Sequence, residues 1–204
     1  MELFIKPGAC SLAAHIALLE AGEAFDLVPV DTAAGRTASG EDYRLVNPLG
    51  YVPALRLDDG RVLVESAAVL QFVAELHPEA GLAPAAGTFE RAKLQEHLNF
   101  TASELHKAFK PFFSGAPLEG EARSSAAAVV LGKLRHFERV LADGRPYLLG
   151  DRFSVADAYL FVVAGWTGHV GIALDALPRL QAFIARVAAR EHTRAALRAE
   201  GLTQ

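Results

Sequence analysis

The chain has 204 residues, 51% of them hydrophobic, and a formal net charge of −4. That size and apolar content suffice for one large domain or two small ones with real cores. A mildly acidic chain without a Lys/Arg run or a basic stripe has no electrostatic footprint for nucleic acid, and its single cysteine, Cys10, excludes an intramolecular disulfide and fits a reducing compartment, so the cytoplasm is expected.

Residues 2–6 open the chain as a short β-like run, followed by a Pro7-Gly8 turn. No basic region followed by an apolar core and a cleavage site stands there, so no secretory signal is expected. Residues 11–21 carry apolar side chains at 12, 16 and 19, which predicts an amphipathic helix ending at Gly22. A second strand follows at 25–30, then a loop, DTAAGRTASG, over 31–40. VPALRL (52–57) and RVLVE (61–65) flank Asp58-Asp59-Gly60, a hairpin signal. Residues 66–77 are helical, and Pro78 stops them. The order β-α-β then β-β-α predicts a parallel pair with a right-handed crossover and a hairpin closed by a helix. The result is a four-stranded α/β domain over residues 1–80.

PEAGLAPAAG (78–87) contains the expected linker, residues 81–87. Beyond it helical patterns cover 88–113, 121–142, 154–168, 177–190 and 192–199, so residues 88–204 are expected to form an all-α domain. The uncharged run Ala158 to Leu174 falls just short of membrane-spanning length and contains polar and glycine positions. A core helix is expected, and no membrane segment. Gly165, Gly168 and Gly171 within it suggest close helix packing. Ser154-Val155-Ala156-Asp157 has capping-box spacing, with Asp in place of Glu, and opens this apolar helix.

Cys10 stands where a strand ends and a helix begins. Unpaired N–H groups and the helix dipole stabilise a thiolate there, and the alternative is a buried structural cysteine. Position 13 is Ala, so any disulfide chemistry needs an external thiol. Val52-Pro53 starts the third strand, with the peptide either trans or, in a cis turn, presenting the backbone of Val52 to a peptide-like ligand. Glu65-Ser66 lies at a strand-helix junction. It is either a plain N-cap with an exposed acid or a site for an amino acid end, with Ser66 and the helix N-terminus on the carboxylate and Glu65 on the ammonium. Asn99, Ser103, His106 and Lys110 share one helical face, either solvated or, with His106 and Lys107, close to the thiol. The seven histidines show no His-x-x-x-His spacing and no cysteine partner, so no metal site is expected. Neither G-x-G-x-x-G nor a P-loop is present.

KPGACSLAAHIAL, NPLGYVPAL, LNF, ELHKAF and FSVADAYLF together resemble the bacterial beta class of the glutathione S-transferases, over essentially the full chain. The resemblance implies a thioredoxin-like N-terminal domain, an all-helical C-terminal domain and a homodimer. It implies an enzyme that conjugates glutathione, as co-substrate, to small hydrophobic electrophiles, with thiol–disulfide exchange through Cys10. It implies that Cys10 and His106 lie at the glutathione sulfur, with Lys107 beside them, and that Val52, before a cis Pro53, pairs with the cysteinyl part. Glu65 and Ser66 take the γ-glutamyl end, which Asn99 and Ser103 reach from the neighbouring subunit. The electrophile is expected against Phe109, Phe113 and Trp166. The chain departs from the family at position 35, where Gly replaces a lysine that holds the glycyl carboxylate; Arg36 is the expected substitute. Leu49 and Tyr51 replace polar residues at the mouth of the site. A binding protein without catalysis, a reductive dehalogenase and a cis-trans isomerase of small acids are the competing readings.

Overall fold

Strand β1, Glu2–Ile5, buries Leu3, Phe4 and Ile5 almost completely. Consecutive buried residues mean that both faces of the strand are covered, and β1 indeed lies at the centre of a five-stranded sheet of order β3-β2-β1-β4-β5. Here β2 is Asp26–Asp31, β3 Arg36–Thr37, β4 Ala54–Arg56 and β5 Val62–Val64. The β1–β2 pair is parallel and the remaining pairs are antiparallel. The computed structural model describes residues 1–202. The two-residue β3 falls within the stretch expected to be loop, because Asp31 accepts from the amides of Ala33 and Ala34 and turns the chain back onto β2.

Helix α1, Ser11–Ala21, ends at Gly22, whose φ of 69° lets its amide turn back to the carbonyls of Leu18 and Leu19. Every residue from Ser11 to Leu18 is buried, so α1 is not the amphipathic helix that positions 12, 16 and 19 suggest. It packs against β1, against α2 (Ser66–Leu76) and against the last helix, α7 (Glu191–Ala199), and is left without a wet face.

That last contact lies within one of two compact units, to be set beside the expected domains of residues 1–80 and 88–204. One compact unit comprises Met1–Ala83 together with the chain from Ala189 onward; the other is Pro84–Ala188. The first boundary falls inside the expected linker, but the all-helical unit stops before α7. Arg190 forms a bidentate ion pair with Glu20 at 2.7 Å on both branches. The fully buried Glu200 side chain bonds Gly8 and His15. A periodic helix pattern carries no information about which core receives the helix.

The second unit contains α3 (Phe89–Phe100), α4 (Gly120–Val140), α5 (Val155–His169) and α6 (Pro178–Ala188). Helix α5 is its centre and is buried from Val155 through Ala164. The Asp157 carboxylate accepts from the amides of Leu148 and Ser154 and from the Ser154 hydroxyl at 2.6–2.8 Å, completing the expected capping box. Gly165 and Gly168 are exposed and a side chain at either would meet open space, so they mediate no close helix packing. The single helix expected over 88–113 is α3, a π-helical turn at Thr101–His106 and a 3-10 turn at Lys110–Phe113. Among the described residues, no helix is long and apolar enough to cross a membrane.

Candidate functional site

The sequence Lys6-Pro7-Gly8-Ala9 forms a tight turn closed by the Ala9 amide on the Lys6 carbonyl at 2.9 Å. Proline supplies the fixed φ of its second residue and Gly8, at φ 73°, the left-handed third. Ser11 ties the turn to the helix, accepting from the Lys6 amide at 3.2 Å and donating to its carbonyl. Cys10, the residue preceding α1, is thereby held with its Sγ 3.1 Å from the Val52 carbonyl oxygen, to which it donates.

Val52 reaches that position from a pinned loop. The Tyr43 hydroxyl and the Asn47 side-chain amide both donate to the Tyr51 carbonyl, at 2.6 and 2.7 Å. The Val52-Pro53 peptide is cis, as the resemblance implies. The Val52 carbonyl, expected to face a ligand, is taken by the thiol of Cys10. Leu49 and Tyr51 project from the same loop, at 64% and 69% exposure. Glu65, the residue before α2, has φ 72° and ψ 118° and is the described non-glycine residue with positive φ. Such a conformation costs about 1–3 kcal/mol and accumulates at ligand sites. Its carbonyl accepts from the amides of Ala68 and Val69, its side chain is exposed, and Ser66 beside it is buried. Cys10, Val52, Pro53, Glu65 and Ser66 thus belong to one unit and meet where β1 ends and α2 begins.

Of the two readings left open for Cys10, a stabilised thiolate or a buried thiol, the electrostatics favour the second. Burial pushes its thiol pKa above the ordinary value. The Ser66 hydroxyl and the amides of Cys10 and Ser11 act in the other direction, Glu65 adds to the rise, and burial dominates. A thiolate at a helix start gains from dipole and amides only what desolvation does not remove. At neutral pH the sulfur of Cys10 is therefore a thiol and a hydrogen-bond donor.

Arg36 lies exposed on the edge strand β3, its guanidinium donating to the Gly40 carbonyl at 3.0 Å. Gly35 has φ 68°, a conformation lysine adopts only with strain. A side chain there would meet Arg44 Nε at 3.6 Å, so Arg44 is the cation that covers position 35. An arginine nine residues further on in a loop gives no sequence signal for this.

The second unit holds the other expected residues. Asn99 and Ser103 are exposed, and the Ser103 hydroxyl donates to the Asn99 carbonyl at 2.9 Å. Lys107 is exposed. The π-turn breaks the 3.6-residue register, so His106 leaves the solvated face and is half-buried. Its Nδ1 lies 3.0 Å from the Tyr159 hydroxyl and its ring meets Trp166 edge-on at 4.8 Å. Burial lowers the His106 pKa, leaving a neutral imidazole. In the neutral ring one nitrogen carries the proton and the other accepts, so Nδ1 either accepts from the Tyr159 hydroxyl or donates to it. Tyr159, inside an apolar run, was invisible as a partner. Trp166 also packs against Phe109 at 5.5 Å and Phe113 at 5.4 Å, so these three rings form one cluster with His106.

Two family models match the chain: glutathione S-transferase, N-terminal domain, over residues 8–76, and glutathione S-transferase, C-terminal domain, over residues 100–191. The glutathione S-transferase GstA of Escherichia coli O157:H7 is 44% identical over 99% of this chain and 100% of its own. The fold superposes on a bacterial beta class glutathione S-transferase from Sphingomonas chungbukensis with TM-score 0.94 and 49% identity, covering both chains fully. A sphingomonad glutathione S-transferase complexed with glutathione gives TM-score 0.92 and 49% identity, again over 100% of each chain.

Proposed function

This chain belongs to the glutathione S-transferase family, and we propose that it is a glutathione transferase of the beta class that conjugates reduced glutathione to small hydrophobic electrophiles. The observation that carries the reading is the Cys10 thiol, donating at 3.1 Å to the Val52 carbonyl beside Ser66 and Glu65. Glutathione would lie extended along Val52, its γ-glutamyl carboxylate on Ser66 and the N-terminus of α2, its ammonium on Glu65. Arg36 and Arg44 are the cations offered to the glycyl carboxylate. The cluster of Phe109, Phe113 and Trp166 offers an apolar, polarisable surface to the electrophile.

The attacking species is the glutathione thiolate. A protonated Cys10 suits it: the S–H that bonds Val52 turns to the incoming sulfur and stabilises its negative charge. His106, a neutral imidazole beside Tyr159, is the second residue proposed to act on the glutathione sulfur. Exchange is the slower partner reaction. There the Cys10 thiolate attacks a mixed disulfide of glutathione, forming a Cys10–glutathione disulfide and releasing the other thiolate. A second glutathione then attacks that disulfide, releasing oxidised glutathione and restoring Cys10. This route needs Cys10 deprotonated, which burial opposes.

In this reading two chains form a homodimer, Asn99 and Ser103 of one reaching the γ-glutamyl end held by the other, and the enzyme works in the cytoplasm. The test combines conjugation of a chlorinated nitroaromatic with intact mass measurement with and without reductant. Turnover in the native chain, with Cys10→Ala losing glutathione release from small mixed disulfides, supports it. Tight glutathione binding with neither reaction detectable overturns it.

A further inference from the structure

The histidines lack helical metal-ligand spacing, but the fold brings two of them together from different helices. His97 lies on α3 and His136 on α4. A ring nitrogen of each and a carboxylate oxygen of Glu96 all lie within 4.8 Å of one another. Nδ1 of His97 and Nε2 of His136 are buried and have no hydrogen-bond partner. His97 is only 1% exposed. Elsewhere in the chain imidazoles find partners: His15 with Glu200, His77 with Glu23 and Glu79, His106 with Tyr159. Both histidines of the cluster thus carry a buried nitrogen without a partner, which calls for a ligand.

We propose that Glu96, His97 and His136 bind one divalent transition-metal ion of the zinc class, clipping α3 to α4. Two imidazoles and one carboxylate form a donor set that zinc accepts, with a remaining position for water. Tetrahedral ligation at about 2.1 Å puts donors about 3.4 Å apart, so donors now within 4.8 Å of one another must close in by up to about 1.4 Å. Glu96 is exposed and His136 half-buried, so their side chains have room to turn. The Glu96 carboxylate must leave Lys93 Nζ, at 2.6 Å in a pair 37% and 52% exposed. Such partly exposed pairs are weak. The walls are aromatic: Phe100 lies 4.4 Å and Phe137 5.2 Å from the His136 ring. The positive side chains of Lys93, Arg139 and Arg145 act on the two histidines. Their field disfavours hard cations that depend on oxygen and net negative charge, and leaves those with strong bonds to nitrogen.

The test is equilibrium binding of Zn²⁺ alone to the full metal-stripped chain, with Co²⁺ as a spectroscopic probe. It is run on the native chain, Cys10→Ser, Glu96→Gln and His136→Gln, each checked for native circular dichroism. Expected is one ion per chain, retained in Cys10→Ser and weakened at least about tenfold in Glu96→Gln and in His136→Gln. Cobalt absorption bands of low-symmetry nitrogen and oxygen ligation should vanish in His136→Gln. No binding in the native chain, binding unchanged in both variants, or binding lost only in Cys10→Ser each overturns the site.

Discussion

The sulfur of Cys10 donates a hydrogen bond to the backbone carbonyl of Val52, 42 positions away in sequence, at 3.1 Å. The contact joins the start of α1 to the loop before β4 and fixes the protonation state as much as the position. With burial raising its pKa, the thiolate fraction of Cys10 at neutral pH lies below that of a free cysteine of pKa about 8.5. Alkylation by iodoacetamide should therefore be slow at pH 7 and rise with a midpoint above about 8.5. A midpoint near or below neutrality would show that the helix start outweighs desolvation.

Glu65 combines a left-handed backbone with a side chain proposed to hold an ammonium. Both Glu65→Ala and Glu65→Gly remove the carboxylate and should raise KM for glutathione. They separate on stability: glycine tolerates φ 72°, so Glu65→Gly should be the more stable of the two by about 1 kcal/mol. Urea unfolding of the pair measures it, and a more stable alanine variant would contradict the strain.

Asp157 closes the cap of α5 from a fully buried position. Replacing it with Ala strands the amides of Leu148 and Ser154 and should cost about 3 kcal/mol, read by denaturant unfolding.

The same residue carries a pH dependence. Burial raises its carboxyl pKa to about 6 against the hydrogen bonds it accepts, while the unfolded value is about 3.9. Between those values the folded state binds more protons than the unfolded one, so this group's contribution to stability falls as pH rises from about 4 to about 6. Asp157→Asn should flatten that slope in unfolding free energies taken across the window. An unchanged slope would assign the effect elsewhere.

Glu200 ties α7 to the turn that carries Cys10, through the Gly8 amide at 3.0 Å and His15 Nδ1 at 2.9 Å. Glu200→Ala takes one partner from the Gly8 amide and removes the acceptor beside the buried Nδ1 of His15, and should destabilise the chain by about 1–3 kcal/mol. It should also quicken exchange of the Gly8 amide in hydrogen-exchange measurements. Retained protection at Gly8 would show that the turn holds itself.

Much was determined by local sequence. Hydrophobic period, the Gly22 stop, the Asp58-Asp59-Gly60 hairpin and the Ser154–Asp157 cap each depend on residues a few positions apart, so the elements and the α/β-then-α order were legible. The same holds for Cys10 at a strand–helix junction and for the Glu65-Ser66 pair. What distant segments do to one another was not legible. The protonated state of Cys10 follows from burial by residues brought from elsewhere, and the neutral state of His106 from burial and a π-turn that rotated it towards Tyr159. The return of α7 to the first unit depends on a carboxylate finding Gly8 and His15. Desolvation and long-range pairing exist only once the chain is folded, so tertiary structure decided the charge states and partners of residues whose identity and local setting the sequence had already assigned.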